Sequence, residues 1–187
     1  MNEDMEYSYD IKIPKDRVAV LIGRKGEVKR EIEECTNSKV KIDSKEGEVT
    51  VSGTDAVGLF SARDVIKSIA RGFNPEKALL LLKQDYCLEI VNITDYSGKS
   101  KNKMMRLKGR VIGQDGKTRR TIETLTSTDI SVYGKTVCII GHSFNVSLAR
   151  RSIESLLAGS KHAAVYRALE KKSKDLKMEA FEQPVNQ

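Results

Sequence analysis

Histidine and cysteine are scarce in this sequence, and each shortage argues against a class of function. The 187 residues include two histidines and three cysteines. His142 and His162 stand in no metal-ligand or triad-like spacing, so we expect no metal, no cofactor and no enzymatic activity. Cys35, Cys87 and Cys138 form no C-x-x-C pair and lie in apolar settings, so we expect three reduced cysteines in the core.

A long uninterrupted apolar run is also absent, which argues against a membrane-spanning helix. The segment Met1–Asp10 is acidic and polar, whereas a secretory signal starts with a basic stretch followed by an apolar one. The sequence therefore predicts a cytoplasmic protein with no membrane partner.

Charge is plentiful and has an excess of one sign. The chain has 33 lysines and arginines against 26 acidic residues, which gives a formal net charge of +7. Such an excess favours a polyanionic partner such as nucleic acid. Charged residues make up 32% of the chain, however, and many of them serve solubility, so net charge alone does not establish binding.

One segment resembles a nucleotide-binding loop but departs from it at a decisive position. Residues 113–118 end in Gly-Lys-Thr, as a Walker A loop does. That pattern needs a glycine five residues before Gly116, and Val111 stands there. The sequence therefore predicts no P-loop.

The most informative feature is an internal repeat. The motif I-G-x-x-G occurs at Ile22–Gly26 and again at Ile112–Gly116. The similarity extends beyond the motif, with register kept inside the predicted elements and small slips at turns. Matched pairs include Arg30 with Arg120, Glu33 with Glu123, Thr36 with Thr126, Arg63 with Arg150, and Gly72 with Gly159. The repeat indicates two similar domains.

Each repeat predicts the same order of elements: strand, helix, GxxG loop, helix, strand, strand, helix. The first strand alternates apolar and polar residues as a half-buried strand does, and a glycine C-cap ends the last helix. The predicted elements of the first repeat are Tyr7–Pro14, Arg17–Ile22, Lys39–Asp43, Glu48–Ser52 and Ala56–Arg71. Those of the second are Tyr86–Ile93, Met104–Ile112, Ile130–Tyr133, Thr136–Ile140 and Phe144–Ala158. The helix after each loop has a predicted buried face of Val28, Ile32 and Cys35, or of Ile122 and Leu125.

These patterns divide the chain into a first domain at residues 1–74, a linker helix at 75–84, a second domain at 85–160, and a C-terminal helix and tail at 161–187. The linker carries four successive leucines, which cannot all face water, and we expect it to wedge between the domains. The tail places Ala164, Leu169 and Leu176 on one side, which is typical of a docked helix or of a frayed extension.

The GxxG loops are the candidate functional sites. A glycine turn lets a ligand approach the backbone closely, and the helix that follows presents free N–H groups and its positive dipole end to a phosphate. An apolar groove beside such a loop suits unpaired bases, so the pattern predicts binding of single-stranded RNA or DNA. The candidate RNA-binding residues are Gly23, Arg24, Lys25, Gly26, Lys29 and Arg30, and Arg110, Ile112, Gly113, Gln114, Asp115, Gly116, Lys117, Arg119 and Arg120.

Seven apolar residues beside the loops have two interpretations, groove lining or plain core. They are Ile22, Val28, Val40, Ile42, Ile112, Ile130 and Val132. The sequence leaves both interpretations open.

The element order and both I-G-x-x-G loops resemble tandem type I KH domains. This resemblance implies an α+β fold in which each domain is a three-stranded antiparallel sheet packed by three helices, with an added C-terminal helix. The segment Gly109–Glu123 is similar to the archaeal two-KH ribosome-assembly factors, which are related to the eukaryotic partner-of-Nob-one and Krr-type proteins. The resemblance implies binding to the 3′ end of small-subunit rRNA during ribosome biogenesis, with contacts to the Nob-one endonuclease and to initiation factor two alpha.

The same resemblance implies that the loop Gly113–Gly116, with Lys117 and Arg120, clamps the RNA. Two departures are visible. Eukaryotic relatives have a degenerate first loop, whereas Gly23–Gly26 is intact here, which favours RNA binding by the first domain as well. Asp115 is an acidic residue inside the second loop. Two alternatives stay open, a KH-type regulator that binds messenger RNA and a protein-docking scaffold.

Overall fold

The computed structural model describes the backbone of residues 7–182 and the side chains of residues 7–174. The chain divides between Leu88 and Glu89 into two compact units. This division falls inside the first strand of the second sheet, which begins at Tyr86. The finer domain limits at residues 74, 84 and 160 stay predictions.

The first unit contains a three-stranded sheet and three main helices in the predicted order. Its elements are β1 (Tyr7–Lys12), α1 (Lys15–Ile22), α2 (Glu27–Thr36), β2 (Lys39–Asp43), β3 (Glu48–Gly53), α3 (Ala56–Ala70) and α4 (Pro75–Ala78), followed by a 3-10 turn at Leu79–Leu82. The strand order is β1-β3-β2, and both pairings are antiparallel.

The second unit repeats this arrangement and adds two helices. Its elements are β4 (Tyr86–Asn92), α5 (Thr94–Ser97), α6 (Lys101–Ile112), α7 (Lys117–Thr126), β5 (Asp129–Tyr133), β6 (Thr136–His142), α8 (Ser143–Leu157) and α9 (His162–Glu182). The strand order is β4-β6-β5, the counterpart of the first sheet. The predicted α+β fold with a C-terminal helix is confirmed.

Helix α3 of the first unit and helix α8 of the second are each followed by the predicted glycine. Gly72 and Gly159 have φ angles of 98° and 106°, in the left-handed region that glycine adopts without strain. Their N–H groups donate to the carbonyls of Ile69 at 3.0 Å and Leu156 at 3.1 Å. Both helices are therefore closed by hydrogen-bonded turns.

The buried face of α2 and of α7 ends on a threonine, and here the apolar pattern was misleading. Cys35 is exposed and Leu125 is half-buried, whereas Thr36 and Thr126 are buried. Each threonine hydroxyl donates to the carbonyl four residues earlier at 2.7 Å, so it is satisfied inside the core. A pattern of apolar residues cannot identify this buried position, because threonine is polar.

The cysteines are reduced, but only one lies in the core. Cys138 is buried and Cys87 is half-buried, while Cys35 is on the surface of α2. The prediction of three core cysteines is therefore wrong for Cys35, because the adjacent threonine takes the inward position.

Strand β1 is more exposed than a half-buried strand. Tyr7 and Tyr9 are 44% and 39% exposed, and Ile11 is only half-buried. The strand lies at the edge of its sheet, so its side chains have a neighbouring strand on one side only. The guanidinium of Arg63 stacks over Tyr9 at 5.5 Å and over Phe60 at 4.0 Å from the ring centroids.

The linker is a short helix and a 3-10 turn rather than one helix. Ala78 and Leu81 are buried, and the other three leucines, Leu79, Leu80 and Leu82, are half-buried. The turn packs on α3 of its own unit. A wedge between the two domains stays a prediction.

The C-terminal helix α9 packs on α7 and α8, so the docked alternative holds over its described part. Leu169 is 1% exposed, as predicted for an inward side chain. Val165 is buried and Ala164 is exposed, so the inward face is rotated from the predicted one. Leu176 lies outside the residues with described side chains. Within the described residues, no helix has the length and apolar character needed to cross a membrane.

Candidate nucleic-acid interface

The two GxxG loops have nearly the same backbone conformation. Gly23 and Gly113, which end α1 and α6, have φ angles of 72° and 73°. Lys25 and Asp115, the residues before the second glycine, lie at 51° and 50°, in a region that side chains seldom adopt. Both loops therefore hold a strained residue at their outer tip.

The first glycine of each loop is required by packing. A Cβ atom at Gly23 would lie 2.5 Å from a methyl carbon of Val28, and one at Gly113 would lie 2.2 Å from the hydroxyl oxygen of Thr118. The second glycine is different, because a Cβ atom at Gly26 would have no atom within 4 Å. At Gly116 the nearest atom to such a Cβ would be a guanidinium nitrogen of Arg120 at 3.5 Å, which is an ordinary contact with an exposed side chain. The first glycine thus lets two helices meet, and the second leaves room for a ligand.

The helix after each loop starts without a side-chain cap. Gly26 and Gly116 occupy the N-cap positions of α2 and α7 and offer no side-chain cap. The N–H groups of Glu27 and Lys117 donate to the loop carbonyls of Arg24 and Gln114. The positive end of the helix dipole at each start still favours an anion. The first residue of the helix differs between the units: Glu27 in α2 and Lys117 in α7.

The predicted cations differ in how they are held. Arg24, Lys25, Lys117 and Arg120 are exposed. Arg30 folds back and donates to the carbonyl oxygens of Lys25 at 3.2 Å and of Gly26 at 3.4 Å, so it stabilises the first loop.

A matched ion pair occupies the next turn of each helix. Lys29 lies 3.7 Å from Glu33, and Arg119 lies 3.7 Å from Glu123. Glu33 also accepts a hydrogen bond from the backbone N–H of Val40 at 2.7 Å, and Glu123 accepts one from Ile130 at 2.9 Å. The sequence repeat predicts that these two glutamates correspond. It does not predict that each one accepts a hydrogen bond that connects its helix to the next strand.

Arg110 has a structural role that the sequence did not predict. Its guanidinium donates to the carbonyl oxygens of Leu156, at 3.0 Å, and Ser160, which joins α6 to the end of α8. In the first unit Arg17 donates in the same way to Ile69 and Phe73. The side chain of Arg110 is therefore already hydrogen-bonded within the protein. Its contact with RNA stays a prediction.

The structure separates the seven candidate groove residues into two sets. Val28, Val40 and Ile130 are 7%, 1% and 4% exposed, so the groove interpretation is wrong for them and they belong to the core. The four others are half-buried or exposed: Ile22, Ile42, Val132 and Ile112. Ile112 is 36% exposed, which is unusual for an isoleucine and suits contact with a base.

Gly109 is a candidate residue that sequence reasoning missed. It lies inside α6, is exposed, and a Cβ atom added to it would have no atom within 4 Å. A glycine inside a helix costs about 1 kcal/mol relative to alanine, and neither packing nor an unusual dihedral explains it here. The signal was an isolated glycine in a helical pattern, which favours close approach of a ligand.

Within residues 7–174, no group of three or more His, Cys, Asp or Glu side chains is placed to hold a metal ion. His162 has a structural contact, because a ring nitrogen lies 2.9 Å from the carbonyl oxygen of Arg110.

Comparison with known proteins gives two family matches. The KH-domain model matches residues 8–68. The model for the second KH domain of PNO1, described as a eukaryotic type KH-domain (KH-domain type I), matches residues 87–174. The two matches cover the two units in order.

Three similar proteins extend over both units or most of them. The KH domain-containing protein MJ0443 of Methanocaldococcus jannaschii is 48% identical over 176 residues, which cover 92% of this chain and 77% of that protein. The pre-rRNA-processing protein PNO1 of Phaeosphaeria nodorum is 32% identical over 128 residues, 68% of this chain and 49% of that protein. This chain thus aligns with about half the length of that relative.

The third is a chain in the crystal structure of the a/eIF2alpha-aDim2p-rRNA complex from Pyrococcus horikoshii OT3. It superposes with a TM-score of 0.85 at 45% identity, over 92% of this chain and 97% of that chain.

Proposed function

Because this chain belongs to the KH-domain family that includes MJ0443, we propose that it is a non-catalytic, cytoplasmic protein that binds single-stranded RNA. We further propose that its RNA is the 3′ end of small-subunit rRNA and that it acts in ribosome biogenesis. The relative PNO1 is named for pre-rRNA processing, and the Pyrococcus complex contains rRNA. These names support the choice of RNA.

The observation that carries the proposal is the geometry of the loops. Each loop has a second glycine at which an added Cβ atom would meet no atom closer than 3.5 Å, a helix start without a side-chain cap, and exposed cations within one turn. Backbone N–H groups and a helix dipole can hold a phosphate there at low conformational cost. The half-exposed apolar side chains beside the loop can contact bases only when the bases are unpaired, so a duplex fits poorly.

The second unit is proposed as the principal RNA site. Its helix α7 starts with Lys117, whereas α2 starts with Glu27, whose carboxylate opposes a phosphate at the same position. Ile112 and Gly109 also leave an exposed apolar and side-chain-free surface along α6. Asp115 works against this assignment, but it lies at the tip of the loop and is exposed.

A protein-docking role for the first unit is the second candidate. Val57 and Phe60 on α3 are 76% and 51% exposed, and Tyr7 and Tyr9 of β1 are exposed in the same unit. Exposed aromatic side chains in one area are typical of protein interfaces. Since the Pyrococcus complex contains a/eIF2alpha, we propose this factor as a partner, with the Nob-one endonuclease as a second partner expected from the family resemblance.

Fluorescence anisotropy tests the RNA proposal. The probes are a short strand with the sequence of the rRNA 3′ end, a scrambled strand and a duplex, each at two salt concentrations. We expect tight, sequence-selective binding that is lost in Gln114→Asp and kept in the double variant Arg24→Asp/Lys25→Asp. Equal binding of all three RNAs, or no binding, would leave the docking role as the better account.

A further inference from the structure

The second unit contains a cavity that the GxxG loop alone does not account for. It has a volume of about 950 Å³ and lies between α6, the end of α8 and the start of α9. Sites for small organic ligands usually have volumes of about 300–1,000 Å³, so this space can hold at least one nucleotide. Its lining includes Lys103, Arg106, Tyr96, His162 and Tyr166.

The charged side chains that line this cavity are cations. Lys103 and Arg106 are exposed on α6, and no carboxylate is among the described lining residues. The described contacts give neither cation an acidic partner, in contrast to Lys29 and Arg119. Two unpaired cations one helical turn apart match the spacing of a phosphate group between them.

Two tyrosines supply aromatic surface and hydroxyl groups. The hydroxyl of Tyr166 donates to that of Thr118 at 3.0 Å, which fixes the ring against the first turn of α7. His162 meets this ring edge-on, with the centroids 6.2 Å apart. Burial raises the pKa of Tyr96 above its ordinary value, the charges of Glu154 and Asp95 raise it further, and the charge of Arg150 lowers it.

The cavity is continuous with the second GxxG loop. Gly113 and Gln114 line it, and so does Gly109, whose missing side chain leaves α6 bare between the loop and the cavity. The first unit has no counterpart of α9 among its described residues, because α4 and the 3-10 turn follow α3 there. This space is therefore a property of the second unit and of its C-terminal helix.

We propose that this cavity binds an additional nucleotide of the RNA strand held at the second loop, with a phosphate on Lys103 and Arg106 and the base against Tyr96 or Tyr166. This inference rests on the proposed RNA function and extends it to a second subsite. It also gives α9 a role in binding, since His162 and Tyr166 form one wall.

Affinity for strands of two lengths tests the subsite. The short probe has about four nucleotides, the number that a KH loop clamps, and the long probe has a few more at each end. We expect the double variant Lys103→Glu/Arg106→Glu to lower the affinity for the long strand about tenfold or more, because it replaces two phosphate-binding cations by carboxylates that repel the phosphate, and to change that for the short strand about threefold or less. The matched control Lys99→Glu/Lys101→Glu reverses as many charges at exposed positions outside the cavity and should lower both affinities equally and slightly.

The outcomes separate the subsite from the function on which it rests. Wild-type protein that binds both strands equally, or a cavity variant that weakens both by the same factor, would overturn the subsite and leave RNA binding intact. Wild-type protein that binds neither strand would overturn both. As an independent readout, a 4-thiouridine at either end of the long strand should crosslink to peptides containing Tyr96 or Tyr166. Crosslinks confined to α7 and β5 would contradict the subsite.

Discussion

The two GxxG loops have the same backbone and opposite chemistry. Their φ angles agree within a few degrees, yet the first has Arg24 and Lys25 between its glycines and the second has Gln114 and Asp115. At the start of the following helix the charges are the other way round, because α2 begins with the acidic Glu27 and α7 begins with the basic Lys117. The comparison shows that packing of the first glycine fixes the path of the loop, while the solvent-facing positions are free to set what it binds.

A second pair of sites shows the same separation between architecture and side chain. Arg63 of α3 stacks on Tyr9 of β1, whereas its counterpart Arg150 of α8 bonds to Glu89 of β4 at 2.7 Å and to Glu154 at 2.9 Å. The hydrogen bond to Glu154 and the charge of Glu89 raise the pKa of Arg150 above its ordinary value. One helix-to-strand contact is therefore aromatic in the first unit and ionic in the second.

The largest expected effect comes from a substitution that the shared loop backbone cannot accommodate. Gly113→Ala places a Cβ atom against Thr118 at a φ of 73°, so we expect the free energy of unfolding to fall by about 2–4 kcal/mol. Gly26→Ala is the matched control, with a similar φ but open space, and should cost only about 1 kcal/mol. Urea unfolding measures both. Equal losses would mean that packing does not determine the loop.

The matched glutamates should be equivalent in the two units. Glu33→Ala and Glu123→Ala each leave a backbone N–H without its acceptor, so each should cost about 1–3 kcal/mol of unfolding free energy. Glu31→Ala, an exposed position on α2, should change stability by about 0.5 kcal/mol or less. Thermal or urea unfolding can compare the three, and a neutral Glu123→Ala would show that the strand does not depend on this bond.

The helix starts should differ in RNA binding. Lys117→Gln should weaken binding about fivefold and reduce the salt dependence of log affinity by about 0.7, because one phosphate contact is lost. Glu27→Gln at the matched position of α2 should not weaken binding. A loss from Glu27→Gln as large as that from Lys117→Gln would place the RNA on both loops.

The smallest effect separates stability from binding at one residue. Gly109→Ala should raise the free energy of unfolding by about 0.5–1 kcal/mol, because alanine favours the helix and meets no atom within 4 Å. The same change should lower RNA affinity, since a methyl group then lies where the strand approaches. A more stable variant with unchanged affinity would show that Gly109 has no binding role.

Sequence patterns predicted what depends on local chain chemistry. Helix ends at Gly72 and Gly159, the hairpins and both loops follow from residue type and spacing alone. The missed features depend on tertiary partners. Thr36 is buried because its hydroxyl finds a carbonyl, and Arg110 is engaged because the end of α8 lies beside it, and neither fact is visible in a hydrophobic period.

The site shows the same limit. The loop residues were predictable as a set, but their individual environments were not. Arg30 turns back onto its own loop, and the cavity requires α9 to pack beside α6, which no local spacing encodes.

The central claim is that the second loop holds the RNA, and amide chemical shifts of the ¹⁵N-labelled chain test it most directly. On titration with the rRNA 3′-end strand, the account predicts that the largest shift changes occur at Gly113, Gly116 and Lys117, with much smaller changes at Gly23 and Gly26. Changes that are largest at Gly23 and Gly26, or equal in the two loops, would contradict it.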